Sequence, residues 1–597
     1  MGEKMNYPDK VLDLGRQFVF SELKYFWTSN EARVLRLFFT NLFNRVFFMF
    51  GLQPNDGASL LAMYSRIKNT RGLRGAFVDN FLPQFLATRL MVVEEEYGGS
   101  EAEFLKKNKI KRLDDFVNFS EKTAELFEEF LTAMADPDYM TKFANSRKVL
   151  AFLKTWLDKY GHNSIARTAN LWICCEMISI LAAKSFEWNR PGSGFIELST
   201  RYVDMSGKDY YPIQRELAEL YGINPLKITS VIEKGFSLYR ELAGENFDGS
   251  FPCFLREQFG GLYADDPEGL KAGVIGETCD VLGNLLPCAT LTSVGMSISG
   301  EALPKLLAHL VLDNTPENLA LVEAIIEESK KVGGYQFVRH FEPSEWEREN
   351  WRYLPVTDEI LTTDSVSTAW MQGKGQGLRG VVEEILNTKM ESRYTDRELG
   401  GLTGLECFLR QAGSTKRGEF DKLPREFEVA AVLFQGMMSF RGWRDLQRQG
   451  FCTHFRSLVT PNLGFYRYDK PAPAELRNTF DKLYRYNYFL YQKLINNQKV
   501  SPLLLQYILA MGNMVMFEMA GNLRQMEFCD WQRTKWSVNH EVRQVFMSME
   551  KELRSLLPWW EKISRADLIP SYVFARGERP HALGSVFAKD QKDKKEE

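Results

Sequence analysis

Residues 160–202 constrain the fold most. They contain a strand pattern, then a helix pattern, and then a loop that leads into a polar segment. Apolar and small residues dominate Ala169 to Ile180, which favours a strand, and Leu181 to Trp188 has the alternation and length of a short helix. The next segment, Arg190-Pro191-Gly192-Ser193-Gly194, cannot continue a helix because proline lacks the N–H donor and glycine favours an open backbone. The order strand, helix, tight loop is compatible with an α+β arrangement without demanding it.

Three polar residues come after this loop at alternate positions: Glu197, Ser199 and Arg201. In an extended segment their side chains project from one face. A carboxylate, a hydroxyl and a guanidinium together suit a ligand that has both an N–H or O–H donor and an anionic oxygen, since arginine binds phosphate or carboxylate through two donors. The alternative is an exposed ladder with a Glu–Arg salt bridge, a common arrangement that contributes little to stability.

Composition excludes several classes of protein. A chain of 597 residues is too long for one ordinary core, so we expect two or more domains. Its 44% hydrophobic and 26% charged residues are typical of a globular protein, and a net charge of −3 gives no reason to expect nucleic acid or an anionic membrane as a partner. The eight cysteines contain no Cys-x-x-Cys, so we expect no metal site and no disulfide framework, and we expect a cytoplasmic protein.

The two ends and one apolar run bear on localisation. Met1 to Lys10 has no secretory apolar core. The run Leu35 to Leu52 is interrupted by Arg36 and Arg45, so we interpret it as a buried helix rather than a membrane span. Residues 576–597 are expected to form a charged, disordered tail.

Several motifs resemble the flavin-dependent thymidylate synthase family. They are Tyr160-Gly161-His162-Asn163-Ser164, the spaced Arg190 and Ser193, and Glu197-Leu198-Ser199-Thr200-Arg201-Tyr202. The family signature has Arg-His-Arg, two residues, Ser, one residue, Asn-Glu, one residue, Ser, one residue, Arg-Tyr. Here Trp188 and Asn189 replace the first Arg and the His, one extra residue precedes Glu197, and Ile196 replaces the Asn.

The resemblance implies a role for each matching residue in this half of the chain. It implies that His162 lies beside the reacting nucleotide, that Glu197 orients this nucleotide, and that Ser199 and Arg201 hold its phosphate. Thr200 and Tyr202 complete the implied substrate-binding set. The flavin-binding set implied here is Ser65, Ser164, Arg190 and Ser193. For Ser65, which comes after an alanine-containing helical segment, a structural serine is an equal alternative.

A second, fainter copy of the pattern lies in the C-terminal half. The segment Phe440 to Gly450 resembles the helix that leads into Arg-His-Arg, with Arg448 kept, and the segment from Asn522 to Arg543 resembles the C-terminal signature. Arg533 falls on the family's catalytic arginine, and Asn539 falls in the cofactor-binding part. In the first copy Gly283 and Leu310 stand at the two arginine places.

The resemblance therefore implies a tandem duplication with complementary losses. We expect an α+β fold of two thymidylate synthase-like copies, each a mixed, curved sheet with long packed helices: residues 1–345, which include a helical N-terminal extension and insertion, and residues 346–575. A composite pocket would combine His162, Glu197, Ser199 and Arg201 with Arg448 and Arg533. On exposed helix faces these arginines would instead be ordinary surface residues.

The implied activity is methylation of dUMP to dTMP with FAD as cofactor, and methylenetetrahydrofolate and NADPH as co-substrates. Members of the family are tetramers, so we expect a homodimer that forms a pseudo-tetramer. One alternative is another flavin-dependent modification of a pyrimidine nucleotide, such as hydroxymethylation. The other is a catalytically degenerate nucleotide-binding protein, which the replacements at Trp188, Asn189, Gln449 and Gly450 favour.

Overall fold

The structure is a computed structural model that describes residues 20–52, 57, 60–61, 69–93, 100–135, 163–187, 191–201, 205, 207, 209–332, 335–338, 341–356, 367–369, 378–412, 416–575 and 580–584. Across these residues, no helix has the length and apolar character needed to span a bilayer.

The first half of the chain contains a four-stranded sheet of β1 (Val46–Met49), β2 (Asn170–Ser179), β3 (Ser193–Glu197) and β4 (Leu291–Ser299). The strand order is β1-β2-β4-β3, and every neighbouring pair is antiparallel. The helices of this half are Ser29–Phe38, Gly72–Ala76, Leu82–Val93, Glu101–Lys107, Leu113–Val117, Glu121–Met134, Asn163–Thr168, Ile180–Phe186, Ile213–Tyr221, Pro225–Ala243, Ser250–Phe259, Pro267–Leu282, Ala302–Asp313, Pro316–Ser329, Tyr335–Val338 and Glu345–Asn350.

The second half contains a sheet of the same kind, made of β5 (Ser367–Ala369), β6 (Ala431–Ser439), β7 (Thr453–Arg456) and β8 (Met514–Asn522). Its order, β5-β6-β8-β7, has the same connectivity as the first sheet, and its pairs are again all antiparallel. The helices of this half are Leu378–Glu391, Asp396–Leu399, Gly404–Ala412, Phe440–Leu446, Ala474–Gln498, Pro502–Leu505, Leu523–Arg533 and His540–Leu556.

The two halves meet through reciprocal backbone hydrogen bonds around a bridge between Pro287 and Ala510, here called the central bridge. Cys288 N–H donates to the Leu509 carbonyl at 2.9 Å, and Met511 N–H donates to the Leu286 carbonyl at 2.8 Å. Pro287 lies just before β4 and Ala510 lies just before β8, and these two strands occupy equivalent places in their sheets. The junction therefore relates the halves by an approximate two-fold symmetry.

The helix after β2 and the helix after β6 both begin with a serine N-cap. Ser179 and Ser439 cap these helices, and their hydroxyls accept from Ala182 N–H at 2.9 Å and from Gly442 N–H at 3.0 Å. Each serine also donates its hydroxyl to a glutamate of a later helix, Glu317 or Glu541. The largest apolar cluster includes residues from both halves, so the junction is part of the protein core.

Three predictions about local structure need correction. The sheets are antiparallel rather than mixed. The run Leu35 to Leu52 is not one helix: it contains the end of Ser29–Phe38, a turn, and β1, because Asn41 ties the turn together by accepting from Asn44 N–H and donating to the Val46 carbonyl. The extended segment ends at Glu197, and Arg201 lies in a turn. The predicted strand and helix within 169–188 are confirmed as β2 and Ile180–Phe186.

Candidate active site between the two halves

The candidate site lies where the first half's β3 meets the second half's helix Phe440–Leu446. Glu197 is the last residue of β3 and is buried. The serine cap and the glycine at 442 fix the start of the facing helix, so Arg441 and Arg444, three residues apart, point from one side of it. Arg448 comes one turn later. A carboxylate from one half is thereby placed against guanidinium groups from the other.

Glu197 is the centre of this arrangement and pairs with three cations. Its Oε1 accepts from Arg444 Nη2 at 2.7 Å, and its Oε2 lies 3.0 Å from Arg448 Nη2 and 2.8 Å from Lys184 Nζ. Burial disfavours the charged carboxylate, but Arg444, Lys184 and Arg448 outweigh it and lower the pKa of Glu197 to about 2. Glu197 is therefore ionised at neutral pH.

Lys184 also pairs with a second buried carboxyl group, that of Glu187. Burial raises the pKa of Glu187, the negative charge of Glu197 raises it further, and Lys184 opposes both effects. Within the described residues, Oε1 of Glu187 is buried and has no hydrogen-bond partner. Lys184 thus pairs with two carboxyl groups, and Glu197 has more cations around it than Glu187 has.

A second ion-pair group surrounds Asp280. Arg201 binds this carboxylate through Nε at 3.0 Å and Nη2 at 2.9 Å, and Arg441 Nη2 lies 3.3 Å from Oδ1. Gly283 makes room for the second-half guanidinium, because a Cβ at this position would lie 2.4 Å from Arg441 Nε. Arg441 also donates to the hydroxyl of Thr200 at 3.4 Å. Arg441, from the second half, therefore occupies the space beside Gly283, which stands where the family has an arginine.

Arg533, the predicted catalytic arginine, ends its helix near the same group. The Gln449 amide oxygen accepts from its Nε and Nη2 at 2.6 Å each when the amide is turned to satisfy both groups. Burial lowers the pKa of Arg533, and the positive charges of Arg448 and Arg201 add to this effect, whereas Asp445 opposes it. The guanidinium groups of Arg448, Arg201 and Arg533 interact with Asp445. Despite the burial of this carboxyl group, they hold its pKa well below the usual range.

The balance of charge defines what this site can bind. Its cations are Lys184, Arg201, Arg441, Arg444, Arg448 and Arg533, and its carboxyl groups are Glu187, Glu197, Asp280 and Asp445. Six cations against four carboxylates leave an excess of two positive charges. The side chain of Arg448 is 36% exposed and that of Arg201 is 20% exposed, so the cationic group reaches solvent. A small dianion fits both the charge and the donors.

The structure brings together the predicted residues Glu197, Arg201, Arg448 and Arg533. Ser199 does not project beside them from a strand, since the strand has ended, and its hydroxyl accepts from Arg201 N–H at 3.3 Å. Ser193 begins β3, four residues before Glu197. The Asn539 side chain caps the helix His540–Leu556 by accepting from Val542 N–H at 3.3 Å.

The other predicted positions lie outside what the structure describes. Ser65, His162, Arg190 and Tyr202 are not among the described residues, and Ser164 is described only as a member of the helix Asn163–Thr168.

Sequence reasoning missed Lys184, Asp280, Arg441 and Arg444. Each makes an ion pair in the site, and the pair between Arg444 and Glu197 joins residues 247 positions apart. A signal was present for two of them: Arg441 and Arg444 stand in the same segment as Arg448, at helical spacing. For Lys184 and Asp280 no local pattern distinguishes them from surface residues.

An α+β chain with a buried, net cationic site built from both halves has the donors and the charge to hold a small anion. The model of the family described as "Thymidylate synthase complementing protein" matches residues 117–332. This match includes the motifs of residues 160–202 and confirms the resemblance seen in the sequence. The match indicates a function related to thymidylate synthesis.

Relatives share more of the chain than this segment. A UPF0159 protein of Chlamydia muridarum is 24% identical over 69% of this chain and 80% of its own length. A UPF0159 protein of Chlamydia pneumoniae is 27% identical over 61% of this chain and 71% of its own length, and one of Thermoplasma acidophilum is 22% identical over 71% and 91%. The matched lengths exceed either half, so these relatives share parts of both.

Proposed function

We propose that this chain converts dUMP to dTMP at the composite site, with FAD as the cofactor and methylenetetrahydrofolate and NADPH as co-substrates. The observation that carries the proposal is the position of Glu197. This residue matches the family's nucleotide-orienting glutamate and is held by Arg444 and Arg448 of the other half. A pocket assembled from two halves is the arrangement expected of a chain in which each half keeps only part of a site.

The excess positive charge supports a phosphate monoester as the ligand. Its phosphate carries close to two negative charges at neutral pH, matching the excess of two cations, and guanidinium groups bind it through paired donors. Arg201 would contribute by sharing its donors between Asp280 and the phosphate. Arg448 would bridge the buried Glu197 to the ligand, since its guanidinium is both paired and partly exposed.

Arg533 has the position and surroundings of a group that stabilises developing negative charge. The partner described for its guanidinium is the neutral amide of Gln449, and burial, together with the neighbouring cations, lowers its pKa. An arginine whose described hydrogen-bond partner is neutral gains from negative charge on a bound ring. In dUMP methylation that charge develops on the uracil when carbon 5 becomes nucleophilic, and electrostatic stabilisation there lowers the barrier.

The residues present also fit the anionic part of FAD, because the guanidinium group of Arg448 is a donor suited to a pyrophosphate. When bound, FAD would supply the hydride transfer that turns the methylene group of the folate into a methyl group. The chain's own residues would bind and orient the nucleotide and exclude water from the buried carboxylate.

Absorbance spectroscopy and tritium release from 5-tritiated dUMP test the proposal together. We expect the purified protein to bind FAD, dUMP to perturb the flavin band, and Arg448→Gln to abolish the perturbation. Arg425→Gln is the matched control, because the Arg425 side chain is 83% exposed and pairs with Glu428 of its own helical turn. Absence of flavin binding in the presence of dUMP would refute the proposal.

A catalytically degenerate nucleotide-binding protein is the second candidate. One observation favours it: both oxygens of Glu197 and the fork of Arg201 already have ion-pair partners. In that case dUMP binds without tritium release. A flavin-dependent modification such as hydroxymethylation would release tritium but give a product of a different mass from dTMP.

We also propose that the two halves arose by tandem duplication, with copies at residues 1–345 and 346–575, and that the protein forms a homodimer equivalent to the family's tetramer. The equal strand orders and the reciprocal central bridge support the duplication. Sedimentation velocity tests the dimer: the expected particle is about twice the 69.0 kDa chain.

A further inference from the structure

A second cleft, of about 430 Å³, has neither Arg201 nor Arg533 in its lining and shares Lys184 with the candidate active site. It is bounded by the helix Ile180–Phe186 of the first half, by β7 of the second half and by the connecting residues 350–355. Its volume is within the roughly 300–1,000 Å³ of pockets that hold small molecules. The second cleft is therefore large enough for one heterocyclic ring with a charged substituent.

The second cleft is the symmetry counterpart of the candidate active site, with one charge reversed. Glu197 ends β3 opposite Val294, and Arg456 ends β7 opposite Phe517. Val294 and Phe517 each lie seven residues beyond their half's residue of the central bridge. Arg456 therefore has the place in the second half that Glu197 has in the first, so the two sites must bind their ligands in different ways.

Arg456 is a buried cation whose charge has no anionic partner. It is 8% exposed, and its Nη1 donates to two neutral oxygens, the Ser457 carbonyl at 2.9 Å and Gln506 Oε1 at 3.0 Å. The rings of Tyr353 and Trp443 lie 5.0 and 5.1 Å from its guanidinium carbon. No carboxylate in the part of the chain that the structure describes forms an ion pair with it. A buried charge in this state favours an anion.

Other polar atoms lining the second cleft are also unmatched. In the described chain, Trp443 Nε1, Gln447 Oε1 and His454 Nδ1 are buried without a hydrogen-bond partner. His454 Nε2 lies 3.0 Å from the Gln449 carbonyl, so Nε2 carries the proton and Nδ1 is an acceptor. Burial lowers the pKa of His454 to about 4, which keeps the ring neutral. These three unmatched atoms thus offer one donor and two acceptors to a ligand.

We propose that the second cleft binds a small planar heterocyclic anion, with its charged group on Arg456 and its ring against Trp351, Tyr353 and Trp443. The aromatic walls favour a flat ring. The unmatched donor and acceptors require a ring that both accepts and donates hydrogen bonds. Nucleotides and folates share this chemistry.

Equilibrium dialysis with dTMP and with folic acid, each in turn, tests the second cleft and distinguishes the two sources. The measurement uses the full chain carrying Arg448→Gln, which weakens the candidate active site and leaves the second cleft intact. We expect one of the two probes to bind at one equivalent per chain. Adding Arg456→Gln should weaken binding about tenfold or more, the loss expected for a hydrogen bond to a charged group.

Trp443→Phe is the second variant, and it keeps an aromatic wall. The substitution removes the indole N–H, which makes no hydrogen bond within the described protein, so the folded state loses no hydrogen bond. We expect about threefold to tenfold weaker binding. The proposal is overturned if neither probe binds with a Kd below about 1 mM, or if both variants bind as tightly as their parent. Because the second cleft does not depend on the flavin reaction, tritium release by Trp443→Phe protein tests the proposed function separately.

Discussion

Neutralising Glu197 tests whether the junction of the two halves depends on its ion pairs. In Glu197→Gln, Lys184, Arg444 and Arg448 lose the carboxylate that lies 2.7 to 3.0 Å from each of them. Breaking a buried ion pair on one side costs about 3–5 kcal/mol. The pKa of Glu197 falls from its ordinary 4.5 to about 2, which corresponds to about 3 kcal/mol of stabilisation of the charged form.

Differential scanning calorimetry at pH 7 measures the effect. Unfolding entropy of roughly 2.1 cal/mol/K per residue gives about 1.3 kcal/mol/K for this chain, so the variant should melt roughly 2–4 °C lower. The matched control is Glu128→Gln, which removes the exposed pair with Arg33, whose side chain is 43% exposed, and should cost less than about 1 kcal/mol. Equal shifts for the two variants would refute the reasoning.

The sign of the pH dependence gives a further check on Glu197. Its pKa is lower in the folded protein than in the unfolded chain, so its contribution is present above pH about 4 and is lost as the pH falls toward about 2. In Glu197→Gln this acid-sensitive part of the stability should be missing, which a pH series of melting temperatures would show.

Three other predictions concern a reaction rate, a pH dependence and a packing contact. Arg533→Gln should retain FAD and lower tritium release about a hundredfold or more, as for loss of one electrostatic stabiliser; a rate within threefold of the parent would contradict the role. Burial raises the pKa of Glu216 to about 8, so the folded state binds the extra proton and stability falls as pH rises from about 4 to about 8. Glu216→Gln should flatten that slope in thermal melts, and an unchanged slope would contradict the assignment. Gly283→Ala should destabilise by about 1–3 kcal/mol, because its Cβ would lie 2.4 Å from Arg441 Nε, whereas Gly261→Ala meets no neighbouring atom within 4 Å and should melt almost unchanged.

Local sequence patterns were sufficient for the elements that carry the site. The apolar run before Ile180 and the shorter amphipathic segment after it predict β2 and its helix, because strand and helix periodicities depend on neighbouring residues. The resemblance also selected Glu197, Arg448 and Arg533, which the structure brings into one cluster. By contrast, alternation alone did not show where β3 ends, since a turn after Glu197 depends on contacts formed outside the segment.

Tertiary structure alone decided how these residues are used. Arg444 and Lys184 share Glu197 only because two halves separated by some 250 positions pack around the central bridge. The need for glycine at position 283 is evident only from the fold, because Arg441 of the other half occupies the space where a side chain would lie. The sequence by itself determined which side chains were available and which short elements bear them. Their pairing, burial and pKa values result from packing between distant segments, because electrostatic energies depend on distance and solvent exposure rather than on sequence separation.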